Sequence, residues 1–106
     1  MAKFLFEANY TPEGAKGIIK EGGSARRAAI EKAVTGLGGR VEAFYFAFGS
    51  VDAYVIVDLP DNVTAAAMAF AVGQSGLAST RTVVLLTMGE ADAATKKSVA
   101  YRGPGQ

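Results

Sequence analysis

The sequence predicts an α+β domain: a four-stranded antiparallel sheet with its helices on one face. Apolar residues recur with period two in four segments, and helical segments separate the outer strands from a central pair. Phe48-Gly49-Ser50-Val51-Asp52 joins that pair directly, as a tight turn does.

The first strand runs from Lys3 to Tyr10, with Phe4, Phe6 and Ala8 on one side and Leu5, Glu7 and Asn9 on the other. Thr11-Pro12-Glu13 then reads as a helix start: a hydroxyl cap, a proline at the first helical position and an acid near the positive end of the dipole. Gly22-Gly23 interrupts that helix. Ser24 offers a new cap, after which Ile30, Ala33, Val34 and Leu37 recur at helical spacing until Gly38-Gly39.

Two strands follow, Val41 to Phe48 and Val51 to Leu59. Pro60-Asp61-Asn62 punctuates, and Val63 to Gly73 is an alanine-rich helix capped by Asp61 or Asn62. Thr80 to Met88 is the last strand, and Glu90 to Lys97 is a short surface helix. The order β-α-β-β-α-β is that of a ferredoxin-like, split βαβ domain. One domain is expected over residues 1–106, with residues from about 98 onward forming a tail.

Composition narrows the chemistry. The 106 residues are 50% hydrophobic and carry a formal net charge of +1, which favours a globular domain and implies neither nucleic acid nor an acidic membrane as partner. Cysteine and histidine are both absent, which removes disulfides, thiolate nucleophiles, Cys/His zinc sites and imidazole acid–base chemistry together. No cofactor or metal is expected. Without a leader-like or membrane-spanning run, the expected location is the cytoplasm.

With glycine at the first central position of a two-residue type II′ turn, Phe48 pairs with Val51 and Tyr45 lies across from Tyr54. One face then collects Phe44, Phe46, Phe48, Val51, Ala53, Val55 and Val57, broken only by Glu42. That face takes the helices. The other holds Val41, Ala43, Tyr45, Ala47, Asp52, Tyr54, Ile56 and Asp58, and lacks a cover within one chain. A second copy is the expected partner.

Several ordered features resemble the GYD-domain family: Tyr10-Thr11-Pro12-Glu13-Gly14, Leu37-Gly38-Gly39, Phe48-Gly49-Ser50-Val51-Asp52, Leu59-Pro60-Asp61, Arg81-Thr82 and Tyr101-Arg102. Gly49 and Asp52 match the family's glycine and aspartate, while Val51 stands at its tyrosine. The resemblance implies a dimeric α+β barrel, two ferredoxin-like sheets packing face to face. It implies no established reaction.

Asp52 and Glu7 are the candidate catalytic acids. A carboxylate beside two tyrosines can act as a base, whereas the alternative for Asp52 is to bond backbone amides and brace the turn. Tyr45 and Tyr54, with Asn9 and Arg81, are the candidate ligand-binding residues. The tyrosines either orient a ligand or pack as a cross-strand pair, and Glu7 with Arg81 forms a polar pocket or an intersubunit ion pair. Arg26-Arg27 reads as solvated helix surface, because neighbours on a helix point about 100° apart.

The expected function is a homo-oligomeric small-molecule-binding or scaffold domain of otherwise unknown role. One alternative is a cofactor-independent oxygenase, isomerase or lyase acting on a small apolar or aromatic substrate. A pure protein-interaction module is the other.

Overall fold

The first strand, β1 (Ala2–Tyr10), takes a central place, with β3 and β4 paired to its two edges. It is followed by α1 (Pro12–Glu21), α2 (Gly23–Gly36), β2 (Arg40–Phe46), β3 (Ala53–Leu59), α3 (Asn62–Gln74), β4 (Ala78–Leu85) and α4 (Met88–Thr95). The computed structural model describes residues 1–106. Its four antiparallel strands form one open sheet in the order β2-β3-β1-β4, the ferredoxin-like arrangement.

Local chemistry sets the helix boundaries. The Thr11 hydroxyl accepts the Gly14 amide at 3.2 Å and donates to the Gly76 carbonyl at 3.0 Å, so one side chain both caps α1 and ties it to the loop before β4. Gly14 is required by that approach, because a Cβ there would overlap the Leu77 carbonyl oxygen. Gly22 separates α1 from α2 at φ 85°, a conformation that costs other residues strain. It also replaces Ser24 as the N-cap of α2, which has no side-chain cap.

Asp61 caps α3, accepting both the amide and the hydroxyl of Thr64, at 2.8 and 2.6 Å. At α4, Thr87 and Glu90 form a reciprocal capping box, and the helix buries none of its residues. The start at Met88, two residues before the expected Glu90, follows from that box.

Strand pairing arranges the covered face in three rows. Across β2-β3-β1-β4 these are Phe46–Ala53–Ala8–Thr80, Phe44–Val55–Phe6–Thr82 and Val41–Val57–Phe4–Val84. Helices α2 and α3 lie over them with Val34, Ala65 and Met68 buried inward, leaving Thr82 and Val84 at the β4 edge exposed. Phe4, Val34, Val57 and Leu59 are at most 1% exposed, each contributing about 1.5–3 kcal/mol of burial. Ala33, expected on the inner stripe of α2, is exposed instead.

Two features of the hairpin differ from expectation. A bulge between Val41 and Ala43 shifts the register by one, so Val41 pairs with Val57 on the covered face. It lets Glu42 leave that face and reach Lys3 Nζ at 3.1 Å, removing the polar break in the apolar side. The second difference is the turn. The ladder stops at Phe46 and Ala53, one further bond joins the Ala47 amide to the Asp52 carbonyl at 2.7 Å, and Gly49 has no positive φ.

A wider loop therefore replaces the two-residue turn. Phe48 is fully exposed at its tip, whereas Val51 tucks in at 4% exposure. The loop is strapped to the end of β1: Asn9 Nδ2 donates to the Ser50 carbonyl at 3.0 Å, and the Tyr10 amide donates to Asp52 Oδ2 at 2.9 Å. Asp52 thus extends the β1–β3 ladder with a side-chain oxygen where a backbone carbonyl would otherwise serve.

Replacing Asp52 by alanine leaves the part-buried Tyr10 amide without its acceptor. Asp52→Ala is expected to lower unfolding free energy by about 1–3 kcal/mol in urea denaturation, and Asp52→Asn by less. Equal losses from the two variants would refute the strap.

At the opposite end, Lys3 bonds Asp58 at 2.9 Å, and Arg40 bonds the other oxygen of Asp58 at 2.9 Å. The Lys3 hydrogen bond, reinforced by both positive charges, holds the Asp58 carboxyl below the usual aspartate range. A depressed folded-state pKa stabilises the fold fully above about pH 4 and loses that contribution as pH falls through the lower folded value. Asp58→Asn should therefore flatten the fall in stability between about pH 5 and pH 2. Asp61 and Glu90, lowered by their capping bonds, maintain part of the slope. An unchanged slope in the variant would rule out Asp58 as a contributor.

Candidate functional site

The open face of the sheet has its own three rows. Tyr45–Tyr54–Glu7–Arg81 crosses β2-β3-β1-β4 nearest the hairpin loop, Ala43–Ile56–Leu5–Val83 crosses the middle, and Arg40–Asp58–Lys3–Leu85 crosses the far end. Four of the six residues singled out from sequence thus stand in one line. Tyr45 lies directly across from Tyr54, with exposures of 71% and 36%.

Glu7 and Arg81 face each other across β1 and β4, with Oε1 and Nε 3.8 Å apart. They line a polar depression of about 350 Å³ with Asn9, Ser79 and Thr80. Asp52 is not part of it. Its carboxylate is engaged by the Tyr10 amide, and Asn9 is engaged by the loop. Val51, at the position matching the family's tyrosine, is buried.

The covered face contains a second feature, a slot of about 40 Å³ between the sheet and the two helices. Phe6, Ala8, Phe44 and Val55 make its floor. Ile30 and Val34 of α2, with Met68 and Val72 of α3, make its roof. Nearly all of this lining is apolar, as a core demands. Arg26 is the exception, with Thr80 and the hydroxyl-bearing Tyr10 also reaching the slot.

Arg26 departs from the solvated surface that the Arg26-Arg27 pair suggests. Arg27 is exposed and paired with Glu31 at 2.7 Å, one turn along the helix. Arg26 is half-buried, and its Nε is shielded from solvent with no hydrogen-bond partner. Leaving a charged donor unsatisfied costs roughly 1–3 kcal/mol or more. The sequence carries the signal for this placement: Arg26 precedes Ile30 by four residues and Val34 by eight, on the same inward stripe.

Aromatic packing supports this end of the domain. The Phe46 ring lies 5.1 Å from that of Phe44 and 6.4 Å from that of Tyr10, between centroids. Gly23, at the start of α2, presses against Phe46, where a Cβ would come within 2.9 Å of the ring. The first turn of α2, which carries Arg26, is thereby held close to the sheet.

The chain brings no three acidic, histidine or cysteine side chains together as a metal would need. No helix is long and apolar enough to cross a membrane. No curated protein and no solved structure matches the chain. A family model does: the one describing the GYD domain aligns with residues 4–95, from β1 to the last turn of α4. The chain, with its ferredoxin-like sheet and that continuous match, belongs to the GYD domain family.

Proposed function

We propose that this domain works as a homodimeric small-molecule-binding module in which two copies close their open sheet faces on each other. The observation that carries the reading is the pattern of the three open rows. An apolar row through the sheet centre is flanked on one side by a row rich in ion pairs and on the other by tyrosines with a Glu7–Arg81 pair.

A two-fold axis along the apolar row makes that pattern self-complementary. Ile56 and Leu5 of one copy meet the same row of the other, while Lys3, Arg40 and Asp58 oppose the row holding Tyr54, Glu7 and Arg81. Four strands about 4.8 Å apart and about eight residues long present a flat area of about 500 Å² per copy, or roughly 1,000 Å² for the pair. That reaches the lower bound for a specific interface.

Enclosing the face would desolvate Tyr45 and Tyr54, whose amphipathic rings suit an interface with polar groups at hand. The apolar slot on the other side of each sheet supplies the binding capacity. The Asp52 and Glu7 carboxylates are both engaged, by the Tyr10 amide and by Arg81, which favours binding over acid–base catalysis.

Sedimentation at micromolar concentration should give a dimer mass, and native mass spectrometry of the purified protein should show the same mass with a retained small molecule. Tyr54→Lys places an unpaired charge in the interface and is expected to weaken association at least tenfold. A stable wild-type monomer, or an unchanged dimer in the lysine variant, would overturn the interface.

A further inference from the structure

We propose that the slot between α2, α3 and the sheet is a binding site for a small aliphatic monocarboxylate, with Arg26 receiving the carboxylate at its mouth. This deepens the small-molecule-binding reading and rests on it for biological role. The site itself needs no second copy, since every wall belongs to one chain.

The geometry selects both halves of the ligand. The slot is lined by phenylalanine, valine, isoleucine and methionine side chains, so only an apolar body enters without losing hydrogen bonds to water. A volume of about 40 Å³ corresponds to about three water-sized groups, which is a short alkyl chain and too little for a benzene-sized ring. Met68 is the adaptable element of the roof, because its unbranched thioether accommodates a changed filling.

The charged half is selected by Arg26. Its Nε is the buried donor without a partner, and none of the chain's ion pairs includes it. Nε–H and one Nη–H of a guanidinium form a side-on fork whose spacing matches the two oxygens of a carboxylate. A bound carboxylate would satisfy that donor and neutralise the charge while its chain lies in the slot. Tyr10 and Thr80 bring hydroxyls to the same cavity.

A structural role for Arg26 makes the opposite prediction about stability. A donor already satisfied by the fold would be missed on removal, whereas an unsatisfied one is replaced by an apolar side chain at no loss. Arg26→Met tests this while keeping the packing of the aliphatic stem.

The experiment titrates the full chain with butyrate, with butyramide as its neutral isostere and with inorganic phosphate, following backbone and methyl resonances. Butyrate should shift Ile30, Val34 and Met68, and butyramide should bind at least tenfold more weakly. Phosphate should leave the Met68 methyl unmoved. Arg26→Met should lose butyrate affinity at least tenfold with an unchanged or higher Tm.

Equal binding of butyrate and butyramide would overturn the proposal, as would phosphate shifting the same roof residues. So would an Arg26→Met variant that melts several degrees lower and still binds butyrate. Ala69→Leu gives a second check by filling the slot from α3, and butyrate binding that survives it would place the ligand elsewhere. A monomer that binds butyrate would remove the dimer and leave this site standing. An uncharged retained ligand would do the reverse.

Discussion

The register in which β1 pairs with both β3 and β4 is the constraint on which every later feature depends. Side chains alternate across a strand, so a slip of one residue at β1 would exchange Phe4, Phe6 and Ala8 for Lys3, Leu5, Glu7 and Asn9 under the helices. Burying Lys3 and Glu7 without water would cost far more than the register could recover. Desolvation of those two charges therefore locks the sheet. Once it is locked, the helices have only one face to cover.

The two faces then follow different rules. Beneath α2 and α3 the rows are apolar through β2, β3 and β1, and the slot opens where the Ala8 floor and the alanines of α3 supply little volume. The lone cation in its lining is costly for the folded domain, a cost that the proposed bound carboxylate would relieve. On the open face the polar groups are arranged as pairs across strands, Glu7 with Arg81 and Lys3 with Asp58. Paired charges tolerate partial burial better than single ones, as the proposed closure of two copies would require.

Much of the sheet was legible from local pattern. The Tyr45–Tyr54 partnership was readable because the pairing from Ala43 to Phe46 keeps the register that a tight hairpin implies. The turn itself differs from the expected two-residue form. Asp52 turns its carboxylate to the Tyr10 amide, a residue 42 positions away that hairpin rules do not consider, and straps the loop to β1. The bulge at Glu42 escaped for a related reason. Its stabilisation comes from Lys3, whose proximity depends on β1 lying beside β3.

The setting of Arg26 depends on its neighbours one and two helical turns away and not on the adjacent Arg27. Judged beside Arg27 it is one of two adjacent charges diverging on a helix, but judged beside Ile30 and Val34 it belongs to the inward stripe. Helical period, read outward from the apolar residues, contains its direction and not its burial. Burial depends on how closely α2 approaches the sheet at its first turn, which Gly23 and Phe46 decide together.

Sequence alone determined the element order, the capping of α1 and α3, and the α+β class, because these depend on propensity and period within short windows. The family match over residues 4–95 agrees with that level of description. Tertiary structure decided the shape of the Phe48–Asp52 loop, the side of the sheet to which Val41 and Glu42 belong, and the inward setting of Arg26. Each of these turns on a contact between residues far apart in the chain, whose free energy no local window contains.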